Sequence, residues 1–147
     1  MKRIKEYYFY KKPLHIISYD FGDFYLYDTF IVGEIKEDVV ISWEAQGKTL
    51  VEEFQSIYGD KAKEVIYISH RINDYSVVPS DWLKFKKFNA KIKGYAIVSY
   101  TKRGYFNGML EKVFVPTTLR TFTSLKEALG WAKASEKITI NESSYLL

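Results

Sequence analysis

Two short stretches concentrate the side chains that could bind or transform a small molecule. They read Ser69-His70-Arg71-Ile72-Asn73-Asp74-Tyr75 and Ser99-Tyr100-Thr101-Lys102-Arg103. His70 with Asp74 or Ser69 has the residue types of an acid–base or nucleophilic set. Arg71, Lys102 and Arg103, with Asn73, Ser99 and Thr101 beside them, have those of a site for a small anion or a phosphate-bearing ligand. Lys102 and Arg103 open a predicted helix, where the macrodipole disfavours cations, and a bound anion would relieve that conflict. No nucleophile elbow, phosphate-cradling glycine loop or metal-ligand spacing accompanies these residues. The chain has 0 cysteines and 2 histidines, which excludes thiolate chemistry and a multi-histidine metal centre. The expectation is a ligand site at His70, Arg71, Asn73, Ser99, Thr101, Lys102 and Arg103. No catalytic residue, metal or cofactor is assigned, and an enzyme working through His70 is the least favoured reading. The competing reading is two ordinary solvated loops.

A second constellation is Trp82-Leu83-Lys84-Phe85-Lys86-Lys87-Phe88-Asn89-Ala90-Lys91-Ile92-Lys93. Lysines interleaved with rings could hold nucleic-acid phosphates or lie on anionic lipid. The simpler reading, which is favoured, is an amphipathic helix with rings inward and lysines in water. Lys84, Lys86 and Lys87 are candidate interaction residues. Gly104 and Gly108 join them, because small residues on the outer side of a helix allow another element to approach closely. The N-terminal segment or a second subunit could supply that cover.

Charge is placed unevenly. Residues 20–64 hold 11 acids against 4 bases, and residues 82–112 hold 8 bases against one acid. Such a dipolar chain could steer an anionic partner or pair with a copy of itself. With 147 residues, 47% of them hydrophobic and 18% aromatic, one domain with one packed core is expected. The start, Met1-Lys2-Arg3-Ile4-Lys5-Glu6, is charged with no apolar h-region behind it, so the expected location is the cytoplasm. No apolar stretch approaches the ~20 residues of a membrane span.

The elements that must position these groups follow from periodicity. After a basic, aromatic extension over residues 1–12, three β-like runs are predicted at 14–19, 24–27 and 30–35. Phe21-Gly22-Asp23 forms a turn, and the short connections imply antiparallel pairing. Leu50, Val51, Phe54, Ile57 and Tyr58 form one apolar stripe of a helix over 44–58, and Gly59 stops it. Two apolar runs without in/out alternation, 65–69 and 92–99, read as parallel strands covered on both faces. The stretch 70–76 between them reads as a polar loop, followed by a short helix at 82–86. A helix over 102–114 would bury Phe106, Met109, Leu110 and Val113, with Gly104 and Gly108 on its far side. A short strand at 119–122 and a helix at 125–134, capped by Ser124 with Glu127, come next. Residues 137–140 read as a further edge strand and 141–147 as a frayed tail.

This order of elements resembles the STAS fold, and within it the SpoIIAA-like branch of small STAS/SEC14-like bacterial proteins. Three stretches carry the likeness: Val65-Ile66-Tyr67-Ile68-Ser69, Ile92-Lys93-Gly94-Tyr95-Ala96-Ile97-Val98-Ser99, and the close Phe122-Thr123-Ser124-Leu125-Lys126-Glu127-Ala128-Leu129-Gly130-Trp131. The pattern covers residues 14–134. The resemblance implies an α/β domain with a mixed four- to five-stranded sheet and helices packed against it. It also implies a non-enzymatic regulatory or interaction module whose partner is a protein or a second copy. A small anionic or lipid-like ligand at the loops after the central strands is a further expectation. A membrane-surface binder is an alternative, and nucleic acid is disfavoured. The Asp-Ser-Ser-Gly-like phosphorylation motif of anti-sigma antagonists is absent from 70–80, so no serine switch is carried over.

Overall fold

A computed structural model describes the backbone of residues 2–146 and the side chains of residues 2–136. Strands β1 (His15–Tyr19), β2 (Gly22–Leu26) and β3 (Phe30–Ile35) form the antiparallel meander that the short connections require. A two-residue strand β4 (Val40–Ile41) and a π-helical turn (Trp43–Gly47) lead into α1 (Lys48–Tyr58). The Ser42 hydroxyl caps that turn by accepting the Ala45 N–H at 3.1 Å. Gly59 ends α1 with φ +59, a conformation that favours glycine. Then follow β5 (Ile66–Arg71), β6 (Ser76–Val77), α2 (Trp82–Lys87), β7 (Gly94–Ser99), α3 (Lys102–Lys112), β8 (Thr118–Phe122) and α4 (Leu125–Leu146).

The main sheet has six strands in the order β1-β2-β3-β5-β7-β8, and from β3 onward the neighbours run parallel. Strands β5 and β7 lie side by side and parallel, with Ser69 opposite Ile97. Each crossover from β3 to β8 steps one strand in the same direction. Right-handed crossovers then put all three connecting helices on one face. Leu50 of α1 joins Phe24, Ile31 and Ile35 there, while Trp82 of α2 and Gly108 of α3 touch Tyr95 and Ile97. The opposite face is left to α4 and the N-terminal segment. Leu125, Ala128 and Ala132 pack there with Ile66, Ile68, Ala96, Val98 and Ile4. β4 and β6 pair separately beyond the sheet.

Four expectations are corrected. The sheet has six strands rather than four to five, because the whole meander and β8 join one ladder. The loop expected from residue 70 begins only after Arg71, since β5 continues through His70 and Arg71. Helix α4 runs through 137–140, where an edge strand was expected. Most consequentially, α3 is turned over. Gly108 and Glu111 are buried, and Phe106, Leu110 and Val113 face solvent at 62%, 44% and 76% exposure. The glycines do allow close approach, but of the sheet. A Cβ at Gly108 would lie 3.0 Å from the Ile97 Cδ1.

Candidate functional site

Alternation along β5 sends His70 to the α4 face and Arg71 to the face under α1–α3. Each finds a carboxylate. On the α4 face, Glu34 of β3 lies beside His70, with Oε2 2.7 Å from Nδ1. On the other side of the ring, Nε2 lies 2.6 Å from the Tyr100 hydroxyl, and the tautomer of the ring sets which atom donates. Glu34 Oε2 also accepts the Ile4 N–H at 2.7 Å. Arg3 stands 3.8 Å from Glu34 Oε1 and pairs with Asp23 at 2.7 Å. This Glu34–His70–Tyr100 chain has the connectivity of a proton relay. Burial pushes the Tyr100 phenol up, and its contact with Tyr7 adds to the rise, which disfavours a phenolate nucleophile. Ile4 is buried and Tyr7 half-buried over the chain.

On the other face Arg71 and Glu111 form a buried ion pair through Nη2 and Oε2, their side chains 2% and 1% exposed. Arg71 also donates to the Tyr95 hydroxyl at 2.8 Å and to Ser69 Oγ at 3.1 Å. Glu111 Oε1 accepts from the Tyr95 hydroxyl at 2.8 Å and the Trp82 indole N–H at 3.1 Å. Ser69 Oγ shares a hydrogen bond with the Tyr75 hydroxyl. Burial works against the Arg71 charge, but Tyr75, Tyr95 and Glu111 outweigh it and hold its pKa above the ordinary arginine value. The pair ties β5 to α3 and, through Trp82, to α2.

Next to this pair lies a cavity of about 150 Å3 between α1, α2 and the sheet. Its floor is Ile31 and Ile35 of β3, Tyr67 of β5 and Tyr95 of β7, and its walls are Leu50 and Phe54 of α1 with Trp82 and Phe85 of α2. Gly33 makes room for the floor, because a Cβ there would fall 2.2 Å from the Tyr67 hydroxyl. Apart from buried tyrosine hydroxyls, the polar side chains of its lining reach solvent: Gln55 and Asp81 are partly exposed and Lys91 is exposed. Asp81 accepts the Trp43 N–H at 2.7 Å and so joins the turn before α1 to the turn before α2. Lys84 reaches Asp81 at 3.4 Å and Glu44 at 3.6 Å across the same seam.

The expected site residues do not converge. His70 and Arg71 occupy opposite faces and are paired with acids, so neither is presented to an anion at the strand ends. Asn73 donates to the Ile35 carbonyl at 3.0 Å. Ser99 is buried beside Gly104. Thr101 caps α3, its hydroxyl accepting the Gly104 N–H at 3.0 Å. Lys102 and Arg103 are exposed on the first turn of α3. Lys84, Lys86 and Lys87 are exposed on α2, whereas Gly104 and Gly108 face the sheet and belong to no outer surface. The residues that complete the two clusters, Glu34 and Glu111, were not singled out in the sequence. Each carried a signal: Glu34 interrupts an otherwise apolar strand, and Glu111 is the lone acid of a basic segment.

No family model matches the chain, and no curated protein matches its sequence. A solved structure does match: an uncharacterized protein of the DUF3478 family from Shewanella loihica PV-4, described as having a SpoIIAA-like fold. The two share 16% identity at a TM-score of 0.51, over 80% of this chain and 90% of that one. The fold is SpoIIAA-like. That identity supports the architecture alone. Among the described residues no helix is long and apolar enough to cross a membrane, and no cluster of three potential metal-binding side chains occurs.

Proposed function

We propose that this SpoIIAA-like domain is a non-enzymatic regulatory module of the cytoplasm that binds a small lipid-like ligand between α1, α2 and the sheet. Contact with a protein partner or a second copy would report its occupancy. The observation that carries the reading is the cavity of about 150 Å3 with an apolar floor and walls. An apolar cavity of about that volume holds one benzene, so about six carbons fit inside. The exposed Lys91 at the rim suits an anionic head, which makes a medium-chain fatty acid the matching chemistry. The site thus moves from the strand-end loops to the face under α1 and α2.

Burying six methylenes at about 0.8 kcal/mol each gives roughly 5 kcal/mol, a dissociation constant on the order of 0.1–1 mM for octanoate. Calorimetric titration of octanoate into the wild type and into Ala62→Trp tests this. Ala62 lines the cavity and is half-buried, so the indole would occupy the space from the rim. Binding in the wild type and its loss in a variant that still melts cooperatively are expected. Equal binding in both, or binding in neither, overturns the reading.

A further inference from the structure

The face made by α2 and α3 presents apolar side chains to solvent in a pattern the fold does not require. Phe106, Leu110 and Val113 recur at i, i+4 and i+7 and are 62%, 44% and 76% exposed. Tyr105 and, on α2, Leu83 are also more than half exposed. Single exposed apolar residues are ordinary, but a contiguous stripe marks an interaction surface. The stripe faces outward because the inner side of α3 is built from Gly104, Gly108 and Glu111, which let the helix lie close on β7.

The exposed charges that α2 and α3 themselves contribute are one-signed, with Glu44 and Asp81 meeting Lys84 at the edge of the face. Residues 82–112 hold 8 bases and one acid. That acid is Glu111, buried against Arg71, so the exposed surface of the segment carries cations only. Lys102 stands four residues before Phe106 and Arg103 seven before Leu110, which puts both on the side of the apolar stripe. Lys112 lies exposed at the other end of α3, and Lys86 and Lys87 on α2. The two helices meet where the Trp82 indole donates to Glu111 at 3.1 Å.

We propose that the α2–α3 face docks on an anionic lipid bilayer. Phe106, Leu110, Val113 and Leu83 would enter the boundary between headgroups and acyl chains, and the surrounding Lys and Arg side chains would snorkel to lipid phosphates. The chemistry selects this occupant over two others. Nucleic acid rewards flat rings for stacking, whereas two of the three stripe residues, Leu110 and the most exposed, Val113, are aliphatic. A two-fold pairing of copies through this face would set cations against cations. The docking stands independently of the cavity ligand.

The test is co-sedimentation of the full chain with vesicles of phosphatidylcholine alone and with about 30% phosphatidylglycerol, between about 50 and 500 mM salt. Retention on the anionic vesicles that weakens with salt is expected. The Phe106→Ser/Leu110→Ser/Val113→Ser variant and the Lys102→Glu/Arg103→Glu variant should each lower it by about tenfold or more. These positions are exposed, and unchanged melting verifies folding. Ala62→Trp should bind vesicles like the wild type, which separates this result from failure of the cavity reading. Equal retention on both vesicles, or retention that the substitutions leave unchanged, overturns the proposal. So does an absence of vesicle binding, whether with salt-sensitive DNA binding or with a dimer that the Ser variant dissociates.

Discussion

Replacing Glu111 by Ala removes the acceptor of three donors at once: Arg71 Nη2, the Tyr95 hydroxyl at 2.8 Å and the Trp82 indole N–H at 3.1 Å. The Arg71 side chain is 2% exposed, so water cannot take the place of the carboxylate. Breaking a buried pair by deleting one partner costs about 3–5 kcal/mol, most of it the penalty of the charge left behind. Against a typical domain stability of about 5–15 kcal/mol this is a large loss. At about 2–4 °C per kcal/mol for a chain of this size, the melting temperature should fall by roughly 10 °C. Urea unfolding followed by tryptophan fluorescence reads the change directly, since Trp82 touches the site. The double variant Arg71→Met/Glu111→Leu removes both charges and keeps the volume, so it should recover most of the loss. A single substitution costing under about 1 kcal/mol, or a double variant as unstable as the single one, would refute the view that this pair is desolvated and mutually dependent.

Two further outcomes follow from the same face of the sheet. Gly108→Leu drives a branched side chain toward Ile97, whose Cδ1 already lies 3.0 Å from a Cβ there; a loss of about 1–3 kcal/mol in urea unfolding is expected, and a neutral result would show that α3 does not lie close on β7. Burial pushes the phenols of Tyr67, Tyr75 and Tyr95 up, so the folded state keeps protons that the unfolded chain releases above pH about 10. Stability should be insensitive to these groups below that pH. It should fall above it by roughly 1 kcal/mol per pH unit for each phenol, and a flat alkaline profile would contradict their burial.

Much of the architecture was legible because it rests on local pattern. Residues 30–35 are mostly apolar and carry the β-branched Ile31, Val32 and Ile35, and they form a strand with those bounds. The apolar runs 65–69 and 92–99, which lack in/out alternation, correctly signalled parallel strands covered on both faces. Ser124 starts α4 as its position before an apolar-periodic run implies. What escaped was decided by partners distant in sequence. His70 and Arg71 read as loop residues because polar side chains rarely enter a central strand; their acids lie 36 and 40 residues away. The orientation of α3 failed for a related reason. Hydrophobicity alone turns Phe106, Leu110 and Val113 inward, but the sheet accepts the helix at a separation only Gly104 and Gly108 permit. Glu111 on that same side is required by Arg71. The cavity was not legible, because it arises from the spacing of α1 and α2 over three strands of the sheet.

Nuclear magnetic resonance of the full chain during an octanoate titration would test the ligand site most directly. The account predicts that methyl and aromatic signals of Leu50, Phe54, Tyr67 and Phe85 shift together and saturate, and that Ala62→Trp abolishes the response. Shifts confined to Lys102, Arg103 and their neighbours, with the cavity signals unmoved, would contradict it.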